Sequence, residues 1–178
     1  MNTLVIVDLQ RDFYHPEGAL YVPGAEILPE RTAQLIPHYD QVIFTLDWHP
    51  QRHISFKPNG GIWPVHCVQY SAGAALPDEV LRAVADLPYM VYRKGQSANR
   101  EEYGAFEDIT PAMEIVLRHS DDITVAGLCG DYCVGETIKN LVRMGLGDRI
   151  SVSLACTGSI DDGSTLRENI QTNHIRTK

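Results

Sequence analysis

The sequence lacks any apolar run close to the length of about 20 residues that spans a membrane, and it has little positive charge. Its 178 residues include 15 lysines and arginines against 23 aspartates and glutamates, so the net charge is -8 at pH 7. A chain with this excess of negative charge repels phosphate backbones and anionic lipid surfaces. We therefore expect neither a nucleic acid nor a membrane as a partner.

Cysteine is also scarce. The chain has four cysteines, and no two of them form a Cys-x-x-Cys pair. This number is low for a fold held together by disulfides, which leaves chemistry as a reason for at least one of them. The first residues lack the basic start and apolar core of a signal peptide, so we expect a cytoplasmic protein. The ordinary globular composition and the absence of a linker predict one domain over residues 1–178.

Short apolar runs alternate with helical patterns along the chain. Five runs are predicted to be strands: 4–7, 41–45, 89–92, 122–126 and 150–155. The first is apolar without alternation, which indicates a strand buried on both faces. Helical spacing covers 25–36, 78–87, 111–117, 134–144 and a shorter stretch at 166–170. This alternation predicts an α/β fold with an open, mostly parallel sheet of five to six strands and helices on both faces. The sixth strand stays an open question.

Four residues with chemical potential lie at or just beyond the ends of predicted elements: Asp8, Asp47, Lys94 and Cys133. In an open parallel sheet, sites form beyond the carboxyl ends of the strands. The segment from 48 to 75 is rich in His, Pro and Gly and shows no periodicity. It is too long for a simple connection, so we expect it to be a binding loop.

Cys133 follows a glycine-rich strand-to-helix turn and begins the predicted helix. Free backbone N–H groups at a helix start favour a thiolate and can hold an oxyanion. Asp8 could accept the thiol proton and Lys94 could lower the pKa of the thiol, which together suffice for a cysteine-dependent hydrolase. The alternatives are a small core cysteine, an aspartate that only caps the next segment and a solvated lysine.

Asp47 and His49 lie two residues apart on an extended segment, so their side chains point to one side, and His53 and His66 can return from the loop. One carboxylate with two or three imidazoles suits zinc, iron or manganese with open positions. The alternative is a set of loop histidines with ordinary hydrogen bonds. The remaining histidines are expected at the surface: His15, His38, His119 and His174.

Several segments resemble, in order, the nicotinamidases of the isochorismatase-like cysteine hydrolases. They are Val7–Phe13, Gly18–Ala25, Asp47–Pro50, His53–Phe56, Trp63–Cys67, Arg93–Gly95 and Asp131–Val134. The resemblance implies hydrolysis of nicotinamide to nicotinate and ammonia, with pyrazinamide as a further substrate and a place in NAD salvage. It leaves the oligomeric state open, a homo-oligomer included.

The resemblance also implies roles for individual residues. The catalytic triad would be Asp8, Lys94 and Cys133. The ligands of one divalent ion, zinc before iron or manganese, would be Asp47, His49 and His66, with His53 as a further ligand. The pyridine ring would lie between Phe13 and Trp63 with Tyr103 closing over it. The oxyanion hole would use backbone N–H groups of Cys129 and Cys133, reached through a cis peptide between Leu128 and Cys129.

Three other functions remain as alternatives. The first is another reaction of the same superfamily, such as isochorismate or N-carbamoyl amide hydrolysis, which lacks the full metal set. The second is a true metallohydrolase built on Asp47, His49 and His66, with Cys133 structural. The third is a binding module without catalysis. Metal content and thiol alkylation distinguish the first two from a nicotinamidase, and ammonia release excludes the third.

Overall fold

The computed structural model describes all 178 residues and contains one six-stranded sheet in the order β3-β2-β1-β4-β5-β6, with every neighbouring pair parallel. The strands are β1 (Asn2–Val7), β2 (Gln41–Asp47), β3 (Tyr89–Lys94), β4 (Asp122–Gly127), β5 (Ile150–Thr157) and β6 (Arg176–Thr177). The predicted α/β fold is confirmed. A sixth strand does form, although it has only two residues and pairs at the edge with β5.

Six α-helices accompany the sheet: α1 (Arg11–Tyr14), α2 (Leu28–Leu35), α3 (Asp78–Ala83), α4 (Pro111–His119), α5 (Gly135–Arg143) and α6 (Ser164–Thr172). Shorter 3₁₀ turns flank α2, and a π-helical turn, Gly130–Val134, leads into α5. The prediction of a helix over 78–87 is wrong in its length. Beyond Ala83 the backbone N–H groups of Ala85 and Leu87 bond to the carbonyl groups three residues before them. Pro88 disfavours helical geometry at Leu87. No helix combines the length and apolar character that crossing a membrane requires.

The two faces of the sheet carry separate hydrophobic clusters. On β1, Leu4 and Ile6 pack into one cluster with residues of α1, α2 and α3. Val5 and Val7 pack into the other with residues of α4, α5 and α6. Because both faces of the strand are covered, its sequence is apolar without alternation.

The strand order places a crevice at the carboxyl ends of β1, β2, β3 and β4. The chain builds β1, β2 and β3 to one side and then crosses to β4 on the other side of β1. Asp47 is in register with Lys94, and Val7 is in register with both Thr45 and Gly127. Residues that follow these strands therefore meet at the switch point of the sheet, where open α/β folds bind ligands.

Candidate active site

Asp8, Lys94 and Cys133 converge in this crevice. Lys94 Nζ lies 2.8 Å from Asp8 Oδ2 and 3.4 Å from Cys133 Sγ. The Cys133 sulfur also lies within 4.8 Å of carboxylate oxygens of Asp8 and Asp47. Asp8 is fully buried, Lys94 is 1% exposed and Cys133 is 6% exposed. The alternative of a solvated lysine is therefore excluded.

The carboxylate of Asp8 is held so that one oxygen remains available. Thr45 Oγ1 donates a 2.7 Å hydrogen bond to Asp8 Oδ1. Asp8 Oδ2 faces Lys94 but accepts no well-directed hydrogen bond. Since a carboxylate oxygen has more than one lone pair, Oδ2 can accept a proton from a neighbouring thiol while it stays beside Lys94.

Burial and charge act differently on the three groups. Burial raises the pKa of Asp8, against the opposing effect of Lys94, which makes this carboxylate a stronger base. Burial also opposes the charge on Lys94, but Asp47 and Asp8 outweigh it and hold the pKa of Lys94 well above its usual value. Burial raises the pKa of Cys133 well above its usual value, with Lys94 acting to lower it. The resting site therefore holds a thiol, a charged lysine and a nearby base.

Replacing Lys94 with methionine should slow alkylation of Cys133 and move its pH dependence upward. The variant keeps most of the length of the side chain but removes the ammonium group that lowers the pKa of this thiol. The measurement is the rate of carboxamidomethylation at Cys133, followed by peptide mass between pH 6 and pH 10. The other three cysteines in the same samples serve as internal controls. Identical pH profiles for wild type and variant would exclude an activating role for Lys94.

The turn before α5 presents backbone N–H groups beside Cys133. A cis peptide bond joins Leu128 and Cys129, as the resemblance implies. The backbone N–H of Cys129 donates no backbone hydrogen bond, whereas that of Gly130 is bonded to the Gly158 carbonyl at 2.7 Å. Cys129 and Cys133 line the same cavity. A free N–H in a partly desolvated cavity is the type of donor that stabilises an oxyanion.

A second cluster, formed by Asp47, His49 and His66, lies next to the thiol. Asp47 Oδ2 is 3.5 Å from His49 Nε2 and 3.6 Å from His66 Nε2. All three side chains are buried. Two ligands at about 2.0–2.2 Å from one zinc ion lie roughly 3.2–3.6 Å apart when their angle is near tetrahedral. The separations in this cluster fit that range.

The ring orientations of the two histidines also suit a metal. His49 Nδ1 lies 3.1 Å from the Gly95 carbonyl, and His66 Nδ1 lies 2.8 Å from the Pro64 carbonyl. Because a carbonyl oxygen only accepts, each Nδ1 carries a proton, so the Nε2 atom that faces Asp47 is the one available to a metal. This is the second-shell pattern of metal-bound histidines. The cluster therefore fits one divalent ion.

His53 does not join this cluster, and its expected role as a further ligand stays a prediction. Its Nε2 donates to the Arg100 carbonyl at 2.9 Å, and its Nδ1 bonds to Ser55 Oγ at 2.7 Å. Both ring nitrogens are therefore used within the loop. Burial and the neighbouring His49 lower the pKa of His53, which favours the neutral ring. Among the other histidines, His38, His119 and His174 are exposed and His15 is half-buried.

A small cavity opens above the two clusters. Phe13, Trp63 and Tyr103 all line it, together with Tyr132. Trp63 Nε1 donates to the Tyr103 hydroxyl at 3.0 Å, and the rings of Trp63 and Tyr132 meet edge to face at 5.1 Å. Sequence reasoning missed Tyr132 as a site residue, although it stands directly before Cys133 in a motif that was noted.

Sequence reasoning also missed residues that hold the ligand loops. The side chain of Gln10 accepts from Asp47 N–H and donates to the Asp47 carbonyl, both at 2.8 Å. The carboxylate of Asp12 accepts from the backbone N–H of Cys67 at 2.7 Å. Both residues belong to the Val7–Phe13 motif, so their position was visible but their partners were not.

The fold and the site together define a class of protein. An open parallel sheet brings a thiol, a carboxylate and an ammonium group together beside an Asp-His-His cluster. The first three are the groups that a cysteine-dependent hydrolase needs. The model of the isochorismatase domain matches residues 2–165. The chain belongs to the isochorismatase family.

Within this family, the chain is similar to nicotinamidases and pyrazinamidases. A nicotinamidase from Saccharomyces cerevisiae is 31% identical, with 91% of this chain and 90% of the relative covered. The structure of a pyrazinamidase of Pyrococcus horikoshii in complex with zinc has a TM-score of 0.85 at 28% identity, covering 99% of this chain and 98% of the other. The structure of PnC1 from L. infantum in complex with nicotinate has a TM-score of 0.88 at 29% identity, covering 100% and 92%.

Proposed function

We propose that this chain is a nicotinamide amidohydrolase that converts nicotinamide and water to nicotinate and ammonia through a thioester on Cys133, and that it also deamidates pyrazinamide. The observation that carries the proposal is that Asp8, Lys94 and Cys133 converge beside the Asp-His-His cluster, under a cavity lined by aromatic side chains. The similarity to nicotinamidases and pyrazinamidases over nearly the whole chain supports it.

The first half of the reaction forms the thioester. Asp8 takes the proton from the Cys133 thiol, and Lys94 stabilises the thiolate as it forms. The sulfur attacks the carboxamide carbon, and the carbonyl oxygen becomes an oxyanion held by the backbone N–H groups of Cys129 and Cys133. The C–N bond then breaks, and Asp8 gives its proton to the departing nitrogen, which leaves as ammonia.

The second half releases the product. A water molecule attacks the thioester carbon while Asp8 takes one of its protons. The C–S bond breaks, the proton returns from Asp8 to the Cys133 sulfur, and nicotinic acid leaves and ionises. The free thiol, the carboxylate of Asp8 and the charged Lys94 are restored, so the same carboxylate serves as base and acid in both halves.

One divalent ion would be held by Asp47, His49 and His66. Zinc is the preferred ion, and iron or manganese are alternatives. When bound, the ion supplies a Lewis-acidic position for the ring nitrogen of the substrate. Phe13 and Trp63 would contact the two faces of the ring, and Tyr103, fixed by its hydrogen bond from Trp63, would close the cavity above it. Orientation of the amide toward the thiol is the main gain.

Chelation should separate substrates that carry a ring nitrogen from benzamide, which has nearly the same shape. Removing the metal should lower kcat/KM for nicotinamide and pyrazinamide by roughly 10²-fold, since misplacing a reacting group by about 1 Å costs about that factor. The slow hydrolysis of benzamide should barely change. The measurement is ammonia release in holo, chelated and zinc-restored enzyme. An equal loss for all three amides would mean that the metal has another role.

A further inference from the structure

The loop after β3 carries a buried carboxylate that links Lys94 of the triad to His49 of the Asp-His-His cluster. Glu102 is 9% exposed, and its Oε2 accepts a 2.8 Å hydrogen bond from the backbone N–H of Gly95. Its own backbone carbonyl faces Lys94 Nζ at 3.4 Å. Glu102 thus contacts both the residue that follows Lys94 and the ammonium group of Lys94 itself.

Gly95 connects the same carboxylate to the metal-type cluster. Its carbonyl accepts from His49 Nδ1 at 3.1 Å. Gly95 has a φ of 65°, and a Cβ atom at this position would lie 2.4 Å from His49 Cε1. The Gly95 backbone therefore lies directly against the imidazole ring, and a displacement of this peptide would tilt the ring away from Asp47.

The carboxylate of Glu102 also makes an ion pair within the loop. Arg100 lies 3.3 Å from Glu102 Oε1, and it also pairs with Glu107 and Asp108 at 2.8 Å each. The ionic contact leaves Oε2 free for the Gly95 N–H, and an ionised acceptor makes a stronger hydrogen bond than a neutral one. Glu102 thereby holds the loop against the carboxyl end of β3 by two contacts, one with Gly95 and one with the buried Lys94.

From this arrangement we infer that Glu102 is a positioning residue: through Gly95 it sets the ring of the metal ligand His49, and through its backbone carbonyl it sets the ammonium group of Lys94. The inference rests on the proposed function. It adds that metal affinity and thiol activation share one support, which lies outside the triad and outside the ligand set.

The test compares Glu102→Ala with Glu107→Ala, since both remove an ion pair with Arg100 but only the first removes the contact with Gly95. Zinc affinity is measured by competition with a chromogenic chelator. Glu102→Ala should bind zinc roughly 10-fold more weakly, which is the lower range for loss of an outer-shell partner. At saturating zinc its kcat should stay several-fold low, because the loop is no longer held at Gly95 and the Glu102 carbonyl, which remains in the variant, moves away from Lys94. Glu107→Ala should match wild type in both measurements.

Two further variants separate hydrogen bonding from charge and from folding. Glu102→Gln keeps an oxygen acceptor and should restore most of the zinc affinity. Glu102→Asp keeps the charge, but its side chain is one methylene shorter and cannot reach Gly95. It should therefore show the weaker zinc affinity and lower kcat expected of Glu102→Ala, and it replaces that variant in the test if the alanine variant fails to fold. Wild-type zinc affinity and kcat in folded Glu102→Asp would overturn the inference.

The same measurements distinguish a failure of this inference from a failure of the proposed function. If wild-type enzyme releases no ammonia from nicotinamide or binds no zinc, the proposed function fails. If wild type does both and Glu102→Ala behaves as Glu107→Ala does, the proposed function stands and the positioning role of Glu102 is wrong.

Discussion

Cys133→Ala is expected to abolish ammonia release, with kcat lower by at least roughly 10⁴-fold, because loss of the nucleophile removes the covalent step on which the rest of the triad acts. Zinc binding and nicotinamide binding should persist, since no ligand of the cluster is changed. Cys133→Ser should be nearly inactive as well. The carboxylate of Asp8 is a weak base for a hydroxyl group, whose pKa far exceeds that of a thiol.

The measurement combines steady-state ammonia release with calorimetric binding of nicotinamide to the inactive variant. Cys156→Ala is the matched control, because Cys156 is buried in the hydrophobic cluster on the α1–α3 side of the sheet and should affect stability more than rate. Substantial activity in Cys133→Ala would contradict the thioester mechanism. It would favour the alternative in which Asp47, His49 and His66 form a metallohydrolase site.

Asp8→Asn should lower kcat by roughly 10²–10⁴-fold, the usual contribution of a general acid–base group. Asparagine has nearly the same shape and can still accept the hydrogen bond from Thr45, but it cannot take the thiol proton. In wild type, kcat/KM should fall as the pH drops through the pKa of Asp8, which burial raises above its usual value, because only the ionised carboxylate acts as base.

This acid limb should disappear from the residual activity of Asp8→Asn. The pH profile of kcat/KM for both proteins is the required measurement. Asp40→Asn is the matched control, since Asp40 is an exposed carboxylate that bonds Asn2 at the opposite end of β1. A rate in Asp8→Asn within a few-fold of wild type would show that another group accepts the thiol proton.

The sequence by itself was sufficient for the class of fold and for the edge at which the site lies. The runs 4–7 and 42–44 are apolar at every position because both faces of these strands are covered. That local signal survives without knowledge of partners. Residues that directly follow parallel strands share one edge, so Asp8, Asp47 and Lys94 could be expected together before their contacts were known.

Tertiary structure decided which side chains complete the site. His49, His53 and His66 are alike in the sequence, but carbonyl groups of Gly95 and Pro64 turn two rings toward Asp47, whereas the Arg100 carbonyl occupies the third. Ring orientation depends on partners up to 47 residues away, and residue spacing carries no information about them. The role of Glu102 was hidden for the same reason.

The edges of the fold were decided in the same way. Arg176 and Thr177 have no pattern that distinguishes them from a loop, and they form a strand only because β5 offers unpaired backbone groups beside them. Lys94 has the composition of a surface residue, yet it is buried because Asp8 and Asp47 surround its ammonium group. Apolar periodicity is a property of neighbouring residues, whereas the pairing of buried charges is a property of the assembled sheet, so the sequence determined the former and only the tertiary structure the latter.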